Sequence, residues 1–135
     1  MSDLSSLESL EGIPEAALPL WKQLINEPLR PVHALFKEIR DYQQIISQRS
    51  QWRNADVDRD LANSLIDASL QLLSILGEET PESERRLVQA AVRYFIIEED
   101  ADSDLDSILG LDDDAQVVNA VLKHLGRESW MVEEV

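Results

Sequence analysis

The residue types with the greatest capacity for chemistry in this sequence are carboxylates crowded into one short stretch. Residues 98–114 contain nine acidic side chains and no lysine, arginine or histidine. Crowded carboxylates repel one another, so a bound cation, a basic partner, or solvent with counterions must stabilise their charges. The nine residues are Glu98, Glu99, Asp100, Asp102, Asp104, Asp106, Asp112, Asp113 and Asp114.

The alternating aspartates of this stretch predict a candidate calcium site. With Asp102 as position 1 of a calcium loop, Asp104 and Asp106 occupy positions 3 and 5, whose side chains converge on the ion. Position 6 is Ser107 where such loops need glycine, and position 12 is Asp113 where they have a bidentate glutamate. These departures favour a solvated acidic loop between two helices over a calcium site. The candidate metal ligands are Asp100, Asp102, Asp104, Asp106 and Asp113.

The helix dipole divides the stretch into two parts. We expect Asp112 or Asp113 to cap a helix, because a carboxylate there accepts free amide hydrogens and faces the positive end of the dipole. Residues 98–100 are expected at a helix end, where an exposed negative charge costs about 0.3–1 kcal/mol. Local structure does not explain the negative charges of residues 98–100, so we expect an interaction surface for a basic protein partner. That surface consists of Glu98, Glu99, Asp100, Asp102, Asp104 and Asp106.

Helices must position these residues, because every strongly periodic segment has apolar residues at three- and four-residue steps. No segment alternates apolar and polar residues over a useful length. The sequence therefore predicts an all-α fold, a compact bundle of about five antiparallel helices with the acidic loop between helices 4 and 5. We expect the third helix to be central. The predicted helices cover about residues 14–25, 31–49, 54–77, 81–97 and 112–126.

The chain is expected to form one domain. Residues 1–13 are predicted to be a flexible N-terminal segment, and residues 14–135 a single helical domain. Trp21 and Trp52 are expected in the core. Trp130 either packs back on the bundle or forms a small apolar patch with the next two residues.

Charge and composition restrict the functions that this sequence can have. The 135 residues include 27 acidic and 12 basic side chains, which gives a net charge of −15. Direct binding of nucleic acid is therefore disfavoured. An alternative is an acidic mimic of nucleic acid, which would require the carboxylates of a predicted helix to extend the acidic surface. Those carboxylates are Asp56, Asp58, Asp60 and Asp67.

Signatures of catalysis and of cofactor binding are missing from the sequence. It contains no cysteine, its four glycines lie far apart, and its histidines, His33 and His124, fall on different predicted helices. We therefore predict no catalytic and no cofactor-binding residues, and a non-enzymatic protein is favoured. No apolar run approaches the ~18 residues of a membrane span, so we expect a cytoplasmic protein, and a homo-oligomer is left open.

One motif overlaps the acidic stretch. It consists of an aromatic pair, two aspartates four residues apart, and a glycine followed by an aspartate pair that leads into a helix. Its residues are Tyr94, Phe95, Asp100, Asp104, Gly110, Asp113 and Asp114.

On this motif, residues 85–125 resemble the YkvA-like family, a small bacterial helical domain of unknown function. Residues 98, 103 and 107 replace prolines of the family pattern, so we expect a more flexible and more hydrated loop here. The resemblance implies a helix, an acidic loop and a second helix. It implies no reaction, cofactor or substrate.

Overall fold

The computed structural model describes the backbone of residues 5–48, 55–101 and 108–132, and the side chains of residues 6–44, 63–96 and 115–132. This part of the chain consists of helices joined by turns and loops and contains no strand, so the predicted all-α fold is confirmed. Within it, no helix is both long and apolar enough to cross a membrane. The α-helices are α1 (Ser5–Glu8), α2 (Leu18–Ile25), α3 (Val32–Gln48), α4 (Ala55–Ser74), α5 (Glu82–Ala101) and α6 (Ile108–His124), and 3₁₀ turns cover Glu15–Ala17 and Glu128–Trp130.

The helices α2 to α6 correspond to the five predicted helices, and prolines set two of their starts. Pro19 lies in the first turn of α2, where the amide hydrogen that proline lacks has no partner inside the helix. Pro81 immediately precedes α5, and its carbonyl accepts the amide of Arg85 at 3.1 Å, which starts the helix. The proline rules therefore locate these helix starts to within a few residues.

The start of α6 differs from the prediction. The helix begins at Ile108, so Asp112 and Asp113 lie on its second turn, and the prediction that one of them caps the helix is wrong. The apolar residues from Ile108 onwards are good helix formers, and the single glycine among them, Gly110, costs only about 1 kcal/mol. The helix α5 also continues to Ala101, so residues 98–100 form its last turn, as expected. The segment between the two helices is thereby reduced to residues 102–107.

The helix at the centre of the bundle is α5, rather than the third predicted helix. It packs against α2, α3, α4 and α6. All residues from 87 to 96 are buried, including Arg93, and the small side chains of Ala90 and Ala91 allow close approach of the neighbouring helices. The ring of Phe95 meets that of Tyr42 on α3 edge to face, with centroids 4.6 Å apart. Every side of this part of α5 is therefore covered by its neighbours. The sequence predicts this central position for α4 instead.

The segment before α2 is tied to the bundle through one tryptophan. The indole Nε1 of Trp21 donates a hydrogen bond to the carbonyl of Leu7 at 2.8 Å. Leu7 and Leu10 are buried, and Trp21 is fully buried as predicted. The prediction that residues 1–13 are flexible concerns motion, and it stays a prediction.

The two other tryptophans have different outcomes. Trp52 lies outside the described residues, so its predicted core position stays a prediction. Trp130 is partly buried and packs against the core, which is the first of its two predicted alternatives. The guanidinium of Arg127 lies over its ring, 5.0 Å from the centroid.

Candidate functional site

The helix ends that flank residues 102–107 of the acidic stretch lie at one end of the bundle. Three contacts join α3 and the residues before it to α5 in the same order along both segments, so α3 and α5 run parallel. The helix α4 connects the end of α3 to the start of α5 through short segments, and therefore runs in the opposite direction, as does α6. Consequently α3 and α5 end where α4 and α6 begin, and we call this end of the bundle the acidic end. The three pairs are Arg30 with Gln89, Glu38 with Arg93, and Tyr42 with Phe95.

The sequence segments that meet at the acidic end carry most of the charge of the chain. Residues 98–114 contribute nine carboxylates, and residues 49–60 contribute three aspartates and three arginines. The excess at this end is therefore nine negative charges of the net fifteen. Such a concentration gives the protein a strong local field, which attracts cations and basic surfaces.

The predicted metal ligands and interaction residues lie outside the described side chains, so both predictions stay predictions. Asp102, Asp104 and Asp106 belong to the segment between α5 and α6, whereas Asp100 and Asp113 lie on helical backbone. The helix α6 covers positions 7 to 12 of the calcium loop counted from Asp102. Among the described side chains, no three histidines or carboxylates lie close enough to hold a metal ion.

For the nucleic-acid mimic, the structure describes one of the four required side chains. Asp67 is exposed on α4, whereas the side chains of residues 56–60 lie outside the described ones. The mimic therefore stays a prediction.

Ion pairs hold Arg93, the basic residue of α5 that is closest in the sequence to the acidic stretch. The guanidinium of Arg93 donates to both carboxylate oxygens of Glu27 at 3.2 Å and to Oε1 of Glu38 at 2.8 Å. Burial lowers the pKa of Arg93, but hydrogen bonds and charge from Glu27 and Glu38 outweigh it, and its pKa lies above the ordinary value. Arg93 is thus a permanent cation whose charge is already compensated inside the bundle.

Two further side chains of α5 hold the segment between α2 and α3. Arg86 donates to the carbonyls of Ile25 and Glu27, each at 2.9 Å, and so satisfies backbone oxygens at the end of α2. The amide of Gln89 donates to the carbonyl of Pro28 at 3.0 Å and accepts the amide hydrogen of Arg30 at 2.8 Å. These contacts bridge about 60 residues of sequence and explain why polar groups occupy the buried helix.

At some distance from the acidic end, an open groove of about 530 Å³ lies between the segment before α2 and one face of α6. Its walls meet at Gly12, which has a φ of +99°, and a Cβ atom there would lie 3.1 Å from the Cβ of Ala120. Only glycine combines this backbone conformation with such close contact. The groove is lined by Leu10, Glu11, Gly12, Gln116, Asn119, Ala120, Lys123, His124 and Met131.

The rim of the groove is formed by the chain after α6. The buried side chain of Asn119 donates to the carbonyl of Val132 at 2.8 Å and accepts its amide hydrogen at 2.7 Å. This pair of bonds places the preceding residue, Met131, over the groove with 41% of its surface exposed. His124 is exposed on α6 and His33 is exposed on α3, so the two histidines lie on different helices, as predicted.

Sequence reasoning missed most of these polar contacts, although the sequence contains a signal for some of them. Arg93 is a single cation between apolar residues of α5, and Asn119 is a single amide between valines and an alanine of α6. A polar group inside an apolar run must find a partner when the run is buried. The partners could not be identified, because Arg93 lies 66 residues from Glu27 in sequence.

Comparison with known proteins yields no match to a family model, to a curated protein or to a solved structure. The resemblance of residues 85–125 to the YkvA-like family therefore stays a prediction that rests on the motif.

Proposed function

We propose that this protein is a non-enzymatic interaction module whose acidic end binds a basic protein partner. The observation that carries the proposal is the concentration of nine excess negative charges where α5 ends and α6 begins. Glu98, Glu99 and Asp100 lie on the last turn of α5, where the helix dipole disfavours negative charge. An external cationic surface would relieve this repulsion.

The described basic residues of α5 support the proposal, because they are already engaged elsewhere. Arg93 pairs with Glu27 and Glu38, and Arg86 binds backbone carbonyls at the end of α2. Arg85 donates to the carbonyls of Thr80 and Gly77, at the opposite end of the bundle. None of the three is available to neutralise residues 98–100.

The cations of α6 are too far from the acidic end to compensate its charge. Lys123 follows Asp114, the nearest carboxylate of residues 98–114, by nine residues, which is about 14 Å along a helix at ~1.5 Å per residue. Screening reduces interactions of exposed charges beyond ~8 Å at physiological salt. The three arginines of residues 49–60 are matched by three aspartates of the same segment, so the excess of nine negative charges is left to solvent or to a partner.

The test compares two variants that remove the same number of charges. The first replaces Asp100, Asp102, Asp104 and Asp106 with asparagine. The second replaces four exposed carboxylates elsewhere, namely Glu15, Glu78, Glu79 and Glu128, with glutamine. Binding of a fluorescent octalysine peptide is measured by anisotropy at low and physiological salt.

If the acidic end is the interaction surface, the first variant binds the peptide at least about tenfold more weakly and the control loses less than about threefold. Equal losses in both variants would show that net charge alone attracts the peptide, and would contradict the proposal. Thermal melting of the protein with calcium and with magnesium, at the same ionic strength, distinguishes the calcium alternative from this proposal. Saturable stabilisation by calcium alone, lost in the first variant, would favour a metal site instead.

A further inference from the structure

The groove between the segment before α2 and α6 has the dimensions and the lining of a ligand site. Its volume of about 530 Å³ falls within the roughly 300–1,000 Å³ of typical small-ligand sites. Met131 provides exposed apolar surface, the largely buried Leu10 and Ala120 add small apolar areas, and the amide of Gln116 adds a polar group. It lies apart from the acidic end, so its occupant is independent of the basic partner proposed above.

The two walls of the groove carry opposite charges. Glu11 lies on the wall before α2, and Lys123 and His124 lie on α6. All three are exposed, and none forms an ion pair within the part of the chain that the structure describes. Lys123 follows Ala120 by three residues, so it lies about one helical turn beyond the point where the walls meet. An anion alone would be repelled by Glu11, and a cation alone by Lys123.

We propose that this groove binds a short apolar peptide with free termini. Its ammonium group pairs with Glu11, its carboxylate pairs with Lys123 beside His124, and its apolar side chains cover Leu10 and Met131. Such a zwitterion satisfies both charged walls and buries apolar surface in the same orientation. Charge complementarity thus sets the direction of the peptide, and the apolar contacts supply most of the affinity.

The groove is held in shape before a ligand arrives. The contact of Gly12 with Ala120 fixes the distance between the walls, and the two hydrogen bonds of Asn119 to Val132 fix the rim. A preformed site avoids the cost of ordering its own loops on binding. This favours measurable affinity for a small ligand with few contacts.

Isothermal titration with four matched peptides tests the proposal on the full chain. Leucyl-leucine is the parent, its N-acetyl form lacks the ammonium group, its C-terminal amide lacks the carboxylate, and glycyl-glycine lacks the apolar side chains. Saturable binding of leucyl-leucine is expected, with each capped form about three- to fivefold weaker, as for an exposed ion pair. Glycyl-glycine should bind at least about tenfold more weakly.

Variants assign each terminus to its wall. Glu11→Gln should abolish the preference for leucyl-leucine over its N-acetyl form, and Lys123→Gln should abolish the preference over the amide. Lys22→Gln removes an exposed cation of α2 outside the groove and should leave all four affinities unchanged. Circular dichroism and thermal melting confirm that each variant folds.

Three results would overturn the proposal. The first is an absence of saturable binding by leucyl-leucine, and the second is equal affinity for the parent and both capped forms. The third is binding that appears only after Glu133→Gln and Glu134→Gln, since this would assign Lys123 to the chain's own carboxylates.

Discussion

The guanidinium of Arg93 lies 2.8 Å from Oε1 of Glu38, and this contact joins the central helix α5 to α3 across 55 residues of sequence. The same guanidinium binds Glu27, so one cation holds the end of α2 and the first half of α3 against α5. The side chain of Arg93 is 11% exposed, and those of Glu27 and Glu38 are 21% and 25% exposed. Partial burial makes these pairs stronger than surface ion pairs, but still screened by solvent.

Replacing Arg93 with methionine should therefore destabilise the protein. The substitution keeps much of the apolar stem but removes the buried cation that Glu27 and Glu38 share. It leaves them only the more exposed Arg30, at 3.9 and 3.3 Å, so we expect a loss of about 2 kcal/mol in the free energy of unfolding. Urea unfolding followed by circular dichroism measures it. The matched control is Lys37→Met, which breaks the exposed pair of Lys37 with Asp41 and should leave the urea midpoint unchanged. Equal midpoints for both variants would show that the network contributes no stability.

The hydrogen bonds of Asn119 to Val132 predict a second effect. In Asn119→Ala, the amide hydrogen and the carbonyl of Val132 lose their partners in a buried position, and we expect a loss of about 1–3 kcal/mol. The amide of Val132 should also exchange its hydrogen much faster. Native-state hydrogen exchange measured by NMR tests this, with Gln116→Ala on the same helix face as the control. Unchanged protection of Val132 would mean that the chain after α6 is held by its apolar contacts instead.

Gly12 lies against Ala120, whereas Gly77 has no close neighbour. The two glycines should therefore respond differently to replacement by alanine. Gly12→Ala places a Cβ 3.1 Å from Ala120 on a backbone with φ +99°, so we expect a loss of about 1–3 kcal/mol. Gly77→Ala meets no atom within 4 Å and has no positive φ, so it should be tolerated and stabilise the protein by up to about 1 kcal/mol. Thermal melting compares the two variants.

A double variant separates the causes of the Gly12 effect. Ala120→Gly alone should cost about 1 kcal/mol, because it places a glycine inside α6. In that background the steric contact is gone but the positive φ remains, so Gly12→Ala should cost less than in the native chain but still destabilise the protein. No cost in that background would show that backbone strain at Gly12 is negligible.

The helices could be predicted because local rules determine them. Apolar spacing predicted the five helices α2 to α6. The predicted start near residue 81 agrees with α5, which begins at Glu82, whereas α2 begins at Leu18, four residues after the predicted start near residue 14. The start of α6 was misplaced because the capping rule favours aspartate, whereas the apolar residues from Ile108 onwards extend the helix by a further turn. Capping preferences describe helix ends well only when the preceding residues cannot continue the helix.

The polar contacts and the groove could not be predicted, because they depend on how helices meet. The pairs of Arg93 and the bonds of Gln89 join segments about 60 residues apart in the sequence. The groove requires the segment before α2 to lie against α6, which no local pattern encodes. Tertiary packing selects these partners, and the sequence shows only that Arg93 and Asn119 need one.

The bond from Trp21 to Leu7 connects the fold to the groove, and it gives the last prediction. Trp21→Phe keeps an aromatic ring in the core but removes the donor of the 2.8 Å bond, so the carbonyl of Leu7 keeps only the amide of Leu10, at 3.3 Å, as its partner. We expect a loss of about 1–3 kcal/mol from the missing bond and the smaller ring. Because Leu7 precedes the groove wall, the amides of Leu10 and Ile13, which bond to carbonyls three residues back, should exchange faster than those of α5. Hydrogen exchange measured residue by residue distinguishes this local release from uniform destabilisation, in which both regions would lose protection equally. Trp130→Phe is the control, since Trp130 is only partly buried and stacks on Arg127 without a bond to the segment before α2.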